Sequence, residues 1–271
     1  MSNTPYMKRF PIILILFFFL LPAGASSQIW QEPQIEESDE VETPFQKGAR
    51  VGWGFDITID NFGFGIGTQY KYMLSNNSEF TISAQLSTLR DISEQSFQSF
   101  YSEVIPNKYQ RVISYPVLFG YKQRVLSEYI YDNFRIFISG SAGPSFAFAY
   151  PYFDDVDGNG IRTPSPELGP YEEYYDVFMG WGEGSQKFGY AGELMLNFDF
   201  GDNSKSYTSI RLGYMFHYFS DGIQVMEPYR YKTNERGLIF VDANGPVLER
   251  TTDKQNFFGS PAFHITFGGL W

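Results

Sequence analysis

Residues 49–59 read ARVGWGFDITI, and this alternation of apolar with small or polar residues predicts a β-strand with two different faces. Neighbouring side chains of a strand point to opposite sides, so every second residue shares a face. The apolar face carries Ala49, Val51, Trp53, Phe55, Ile57 and Ile59, and the other face carries Arg50, Gly52, Gly54, Asp56 and Thr58. Such a contrast is typical of a strand between lipid and a polar barrel interior.

The same alternation recurs in seven later segments, at about residues 62–72, 80–87, 113–122, 134–148, 188–200, 210–218 and 257–271. Long polar stretches at about 90–109, 150–187 and 220–254 separate some of them, and short turns near Asn76, Asp132 and Asn203 separate others. Outer-membrane barrels have an even number of strands, short periplasmic turns and longer outer loops. The sequence therefore predicts an all-β fold over residues 46–271, an eight-stranded antiparallel transmembrane β-barrel with short periplasmic turns and long outer loops.

The composition favours this barrel over a soluble β-sandwich, which is the alternative. Aromatic residues make up 19% of the chain, and there are 26 glycines. A sandwich would have to bury all the aromatic faces against a second sheet, whereas a barrel places them in girdles against outer-membrane lipid. The net charge of −11 argues against a nucleic-acid partner, and the absence of cysteine excludes disulfides and thiolate metal sites.

The N-terminus predicts export. Lys8 and Arg9 precede an almost wholly apolar run at residues 10–21, and small residues then lead to Ala25. The run is too short for a membrane-spanning helix, which needs roughly 20 apolar residues. We predict that residues 1–25 are a cleaved signal peptide, that residues 26–45 are an acidic, disordered periplasmic tail, and that the mature chain lies in a bacterial outer membrane.

Two inner segments and the chain end resemble known barrel motifs. The strand motifs of the PorT-like outer-membrane β-barrel family resemble two segments here, Tyr115-Pro116-Val117-Leu118-Phe119-Gly120-Tyr121-Lys122 and Ser141-Ala142-Gly143-Pro144-Ser145. The chain end looks like the β-signal that the barrel-insertion machinery reads, with Phe263, Ile265, Phe267 and Trp271 at its apolar positions. The resemblance implies the fold and the location. It implies little about activity, since most members have none assigned and the named member is associated with protein secretion.

Several charged residues fall on the inward face of the predicted strands. They are Arg50, Asp56, Lys71, Lys122, Arg124, Arg135, Glu193, Asp199, Arg211 and His264. An eight-stranded barrel is only wide enough for its own side chains, and buried charges must be paired. We expect these residues to form a polar network that plugs the interior, with Glu193 and Arg211 neutralising each other. A narrow ion path is the alternative.

A segment of the third outer loop matches the start of a calcium loop. Asp155, Asp157, Asn159 and the carbonyl of Ile161 offer oxygen ligands at alternate positions, and Gly160 stands at the sixth. The match is incomplete because Pro166 occupies the twelfth position, where a glutamate is expected, and Glu167 follows it. The segment therefore predicts either a weak Ca²⁺ site or a solvated turn. No other cofactor is predicted.

The sequence predicts no enzyme. The only histidines are His217 and His264, and both fall on the inward face. Ser220 is three residues from His217, so the two would point to opposite sides of a strand and could not form a nucleophile and base pair.

The outer loops are the remaining candidate site. The third loop interleaves aromatic with acidic residues, namely Tyr150, Tyr152, Phe153, Tyr171, Tyr174, Tyr175, Phe178 and Trp181 with Asp154, Asp155, Asp157, Glu172, Glu173 and Asp176. Such surfaces bind proteins or glycans, but they also form a barrel rim or a self-packed lid. We therefore predict a structural or surface-binding protein. The alternative is a transport component, either a narrow pore or an accessory of a secretion machine.

Overall fold

The computed structural model of the chain describes residues 42–98, 103–128, 130, 134–163, 171–200, 206–235, 238–243 and 245–271. The predicted signal peptide and residues 26–41 of the predicted tail lie outside these residues. Eight long strands form the body: β1 (Val51–Asp60), β2 (Gly63–Met73), β3 (Ser78–Leu89), β4 (Gln110–Val125), β5 (Phe134–Pro151), β6 (Ser185–Phe200), β7 (Ser206–Ile223) and β8 (Gln255–Leu270).

The eight strands form a closed antiparallel barrel in sequence order. β1 closes it by pairing with β8, in a register that runs from Gly52 opposite Leu270 to Asp60 opposite Ala262. Each other strand pairs with its neighbours in the chain. The predicted eight-stranded fold is therefore confirmed. Within the described ranges, the chain has no helix whose length and hydropathy would carry it across a membrane.

The two faces of each strand differ as the alternation predicts. Leu196 and Leu212 lie opposite each other on β6 and β7 and are 40% and 45% exposed on the outside. Asn197 follows Leu196 and Arg211 precedes Leu212. These two residues also lie opposite each other, and both are buried inside the barrel. The barrel thus has an apolar outer wall and an interior into which most polar side chains of the strands point.

A close contact between two strands explains why residue 143 is a glycine. The Cβ of any other residue at Gly143 would collide with the carbonyl oxygen of Val117 on the neighbouring strand. Gly143 therefore allows β4 and β5 to approach closely at this point.

The two ends of the barrel differ. At the short-turn end lie the connections 74–77, 126–133 and 201–205, together with both ends of the described chain. At the long-loop end lie the two-residue turn 61–62 and the connections 90–109, 152–184 and 224–254. These long loops contain short hairpin strands at Phe97–Gln98 with Glu103–Val104, at Tyr229–Tyr231 with Leu248–Arg250, and at Val241–Asp242 with Gly245–Pro246.

A hydrogen-bonded turn at residues 43–49 covers part of the short-turn end. The amide of Lys47 donates to the Thr43 carbonyl, and the Thr43 hydroxyl lies 2.8 Å from the Asn76 side-chain oxygen. Phe45 packs against an apolar cluster formed by Ala49, Met73, Tyr207 and Leu270. Residues 43–45, which we predicted as the end of a disordered tail, are instead part of this packed turn.

The same turn corrects two predictions about single residues. Ala49 is buried, not on the outer wall, because it precedes the first residue of β1. Arg50 is exposed and is not part of the interior network. Its guanidinium donates to the carbonyls of Phe45 and Ala49 and lies 3.7 Å from the centre of the Phe45 ring. The alternation of β1 cannot be extended to residues 49 and 50, because the strand begins at Val51.

Candidate functional site

The interior near the short-turn end contains a cluster of opposite charges. Lys122 lies 3.1 Å from Asp199 and 3.4 Å from Glu79, and Lys71 lies 3.6 Å from Asp199 and 3.8 Å from Glu79. All four side chains are almost completely buried, and Asp199 also accepts a hydrogen bond from Ser209. Arg135 is buried directly opposite Asp199 on the neighbouring strand. The cluster thus places three buried cations beside two buried carboxylates, and this proximity of opposite charges offsets part of the cost of burial.

A second cluster lies further along the interior and is organised by Arg211. Its guanidinium donates to the Asp56 carboxylate and lies 3.4 Å from Glu193. His264 Nδ1 lies 3.2 Å from the Asp56 carboxylate and 2.9 Å from the Thr58 hydroxyl. The predicted contact between Glu193 and Arg211 is therefore present, but Arg211 holds two carboxylates rather than one.

The structure thus brings the predicted interior residues together in two groups. Asp56, Glu193, Arg211 and His264 form one, and Lys71, Lys122 and Arg135 lie in the other with Asp199. Sequence reasoning missed Glu79, which lies between the two lysines. Glu79 is the second residue of β3, directly after the turn at 74–77. The inward face of β3 would have had to be extended back to this turn to include it.

Apolar side chains close the interior toward the long-loop end. Phe62, Phe219 and Phe258 are buried, and their rings meet edge to face, with centroids 6.5 Å apart for Phe62 and Phe258 and 6.1 Å apart for Phe219 and Phe258. The complete cluster is Phe62, Leu89, Val112, Ala147, Ala149, Phe219, Ile223, Val225 and Phe258. A further cluster of inward apolar residues contains Leu118, Ala191, Met195, Met215 and Ala262. The predicted polar residues therefore occupy only part of the interior, because apolar groups fill another part and close it toward one end.

The interior also contains a serine and histidine pair that the sequence did not indicate. The Ser145 hydroxyl of β5 lies 3.0 Å from His217 Nδ1 of β7, and both residues are completely or almost completely buried. The contact reaches across β6, which lies between β5 and β7, so it depends on the register of β6 with both of these strands. The His217 ring also stacks on Phe219, with ring centroids 6.3 Å apart.

Hydrogen bonds connect the three long loops above the apolar cluster around Phe62, Phe219 and Phe258, which we call the apolar seal. The amide of Tyr109 donates to the Val225 carbonyl over 2.9 Å, and the amide of Tyr152 donates to the Tyr109 carbonyl over 2.9 Å. The amide of Arg162 donates to the Glu227 carboxylate over 3.0 Å. The loops at 90–109, 152–184 and 224–254 therefore support one another as one ordered surface in the part of the chain that is described.

Counted from the turn 61–62 as the first, the second loop is 90–109, the third 152–184 and the fourth 224–254. A cavity of about 330 Å³ opens between the second and fourth loops. Its lining combines aromatic, hydroxyl, amide and charged side chains, including Tyr229, Asn107, Glu227, Arg230 and Thr251. Burial raises the pKa of Glu227 to about 7, although the Arg162 amide and guanidinium oppose this rise. A cavity of this size with a few convergent polar groups is typical of a small-ligand site.

The predicted calcium residues lie in the third loop. Carboxylate oxygens of Asp155, Asp157 and Glu172 lie within 4.8 Å of one another, and Gly158 and Gly160 have positive φ angles, as a tight turn requires. Asn159 instead accepts a hydrogen bond from the Ile161 amide and donates one to Asp157. Burial raises the pKa of Asp155, and the neighbouring carboxylates of Glu172 and Asp157 raise it further. Calcium binding stays a prediction, with Glu172 as a third carboxylate beside the two aspartates.

We expect calcium to bind this loop weakly, with a dissociation constant of roughly 10⁻⁴–10⁻³ M, as in extracellular calcium modules. Calorimetric titration of the folded protein with CaCl₂ measures this, and proteolysis within residues 150–187 should slow at millimolar calcium. The double variant Asp155→Ala with Asp157→Ala should lose both effects. Glu173→Ala, an exposed acid outside the cluster, should keep them. A wild-type titration without heat, together with unchanged proteolysis, would mean that the segment is a solvated turn.

Neither a protein family nor a curated protein matches the sequence. Several solved structures are similar to the chain in fold. The attachment invasion locus protein Ail of Yersinia pestis, in complex with the heparin analogue sucrose octasulfate, shares 12% identity, with a TM-score of 0.37, over 82% of this chain and 97% of Ail. The outer membrane protein OprG of Pseudomonas aeruginosa shares 9% identity, with a TM-score of 0.34, over 82% and 95%. Neisserial surface protein A shares 9% identity, with a TM-score of 0.31, over 80% and 94%.

At these identities and TM-scores, the likeness assigns the chain no activity. The resemblance of residues 115–122 and 141–145 to the PorT-like family stays a prediction, as does the predicted role of Phe263, Ile265, Phe267 and Trp271 as a β-signal. The structure places these four residues on β8 and at the chain end, with Trp271 bonded to the start of β1 through its amide and carbonyl.

Proposed function

We propose that the chain is an integral outer-membrane barrel that does not conduct and that presents its long loops as a binding surface. The membrane location is supported by the apolar outer wall. Large apolar side chains such as Phe64, Leu194 and Tyr190 are exposed along it, and a water-soluble barrel would not leave so many uncovered. The export signal predicted at residues 1–25 agrees with this location.

The observation that carries the binding role is the ordered loop surface above a sealed barrel. Hydrogen bonds among the three long loops hold the cavity and its surroundings in one arrangement. A surface ordered before it meets a partner loses less conformational entropy on binding. The cavity lining, with Tyr229 beside hydroxyl and amide groups, is chemically suited to a polar ligand such as a glycan, and the loop surface as a whole could also bind a protein.

The sealed interior predicts that the protein forms no open channel. Charged pairs fill the interior near the short-turn end, and the Phe62, Phe219 and Phe258 rings close it near the long-loop end. In planar lipid bilayers we expect no stable conductance step. Because the chain has no cysteine, the interior can also be probed with Ser114→Cys, which should not react with a water-soluble thiol reagent, whereas the loop variant Ser93→Cys should react fully.

The alternative function is a transport component, either a narrow pore or an accessory of a secretion machine. A reproducible conductance step together with rapid modification of Ser114→Cys would support the pore and contradict the sealed barrel. A closed channel with a secretion partner recovered from native membranes would support the accessory role. Comparing the partners recovered by wild type and by Tyr229→Ala distinguishes binding at the cavity from binding elsewhere.

A further inference from the structure

We propose that the turn at residues 177–181 is an interfacial anchor that inserts into the outer leaflet of the membrane beside the barrel. The proposal rests on the membrane location given above. It concerns a segment of the third loop to which neither the barrel wall nor the cavity gives a role, and it assigns that segment a lipid partner.

The turn is unusually apolar for an exposed loop. Four of its five residues are large and apolar, and the fifth is Gly180. The exposed fractions are 51% for Val177, 75% for Phe178, 57% for Met179 and 46% for Trp181. Elsewhere in this loop, aromatic residues alternate with acids, and several of them, such as Tyr152 and Phe153, are buried. A continuous apolar patch of this kind on an ordered surface is typical of contact with a membrane or a partner.

The position of the turn favours the membrane. The Trp181 ring packs edge to face against Phe148 and Tyr150, with centroid distances of 6.1 and 6.0 Å. Phe148 and Tyr150 lie on the same face of β5 as Ile138 and Phe146, which is the face that forms the outer wall. The turn therefore lies against the outside of the barrel near its long-loop end and not over the opening.

The turn also continues an aromatic belt on the outer wall. Phe146 stacks on Tyr115 of β4 at 5.5 Å and meets Phe188 of β6 at 5.4 Å, and Phe188 meets Tyr190 at 5.5 Å. Membrane barrels place such aromatic side chains at the lipid–water interface. An apolar turn that is continuous with this belt lies at the height where lipid headgroups meet acyl chains. Its position therefore favours lipid as the partner.

Several polar groups of the turn are paired within the protein, which favours insertion. The Trp181 indole N–H donates to the Val177 carbonyl over 3.0 Å, and the Met179 amide donates to the Asp176 carbonyl over 3.1 Å. Arg111 on the outside of β4 donates to the carbonyls of Asp176 and Tyr175 and so fixes the base of the turn. The exposed carboxylates of Asp176 and Glu183 flank the apolar residues and would stay on the water side of the acyl chains, because burying an unpaired charge is costly.

The shape of the turn depends on Gly180. Its φ angle is +75°, in the left-handed region that favours glycine, and a Cβ there would lie 2.8 Å from the Tyr175 ring. Glycine at this position therefore fixes the shape of the turn, in which Val177, Phe178 and Met179 stay more than half exposed.

A nitroxide label at residue 178 tests the proposal. The chain contains no cysteine, so Phe178→Cys, Leu194→Cys and Ile92→Cys can each be labelled at a single position in the full-length protein reconstituted in phosphatidylcholine and phosphatidylglycerol vesicles. Leu194 is on the outer wall, and Ile92 is a fully exposed apolar residue of the second loop. Collision rates with oxygen, which concentrates in lipid, and with a water-soluble nickel chelate give the depth of each label.

We expect the ratio of oxygen to nickel collisions at residue 178 to lie between those at residues 92 and 194, as for a label at the interface, and to exceed that at residue 92 severalfold. A ratio at residue 178 equal to that at residue 92 would overturn the anchor while leaving the membrane barrel intact. Shielding of residue 178 from both reagents would overturn it in favour of a protein contact. A water-like ratio at residue 194 would instead overturn the membrane location itself.

Discussion

Replacing Arg211 with leucine is expected to lower the free energy of unfolding by about 3–5 kcal/mol, because removing one partner leaves buried charges uncompensated. The guanidinium is almost completely buried and holds the carboxylates of Asp56 and Glu193. Leucine fills part of the space but donates no hydrogen bond. Urea unfolding of the barrel in lipid vesicles measures the change. Arg211→Lys, which keeps the charge but not the planar fork, should lose less.

The matched control is Arg230→Leu. Arg230 also contacts a carboxylate, Glu249, at 2.6 Å, but its side chain is 68% exposed in the fourth loop. Exposed ion pairs contribute about 0–1 kcal/mol, so this variant should unfold almost like wild type. Equal losses from the two variants would contradict the view that the interior charges form a buried, interdependent network.

The outer wall of the barrel was the most predictable feature, because period-two alternation depends only on neighbouring residues. Trp53, Phe55, Leu194 and Leu212 all lie on the outside as predicted. The prediction failed at the start of β1, where Ala49 and Arg50 belong to a turn. Alternation gives the face of a residue only while the strand continues, and the sequence shows no sharp signal for its first residue.

The interior was less predictable, because alternation is blind to position along the barrel axis. Phe137, Phe219 and Phe258 are inward apolar residues next to outward apolar residues, so they give no contrast along the chain. The apolar seal therefore went unnoticed. The sequence did indicate Glu193 and Arg211, because isolated charges in apolar strands stand out.

Contacts between distant parts of the chain required the structure. Ser145 and His217 meet across β6 because of the registers in which β6 pairs with β5 and with β7. Glu172 reaches Asp155 only because the third loop folds back, with the Val156 and Thr163 amides donating to the Glu172 carboxylate. The calcium-loop pattern expects its last ligand at the twelfth position, which is Pro166 here. The pattern therefore could not indicate Glu172.

The second prediction concerns Leu212, the residue next to Arg211. Leu212→Arg is expected to lower the free energy of unfolding in lipid by roughly 2–4 kcal/mol, the cost of arginine on the lipid face near the bilayer midplane. Leu212 lies near the middle of β7, directly opposite Leu196 and Phe263 on the two neighbouring strands. Val117→Arg and Leu196→Arg, on the same outer wall, should each show a loss of the same kind.

Two controls isolate the contribution of lipid. Leu212→Ile keeps an apolar side chain and should change little, and Leu238→Arg, on an exposed residue of the fourth loop, should be neutral. Because Leu212 is 45% exposed, arginine there would project into solvent in a water-soluble barrel and cost almost nothing. The adjacent variants Arg211→Leu and Leu212→Arg therefore exchange an apolar and a charged residue in opposite directions, and a membrane barrel with a paired interior should be destabilised by both. Loss in Arg211→Leu alone, with Leu212→Arg unfolding like wild type, would keep the buried network but contradict the membrane location.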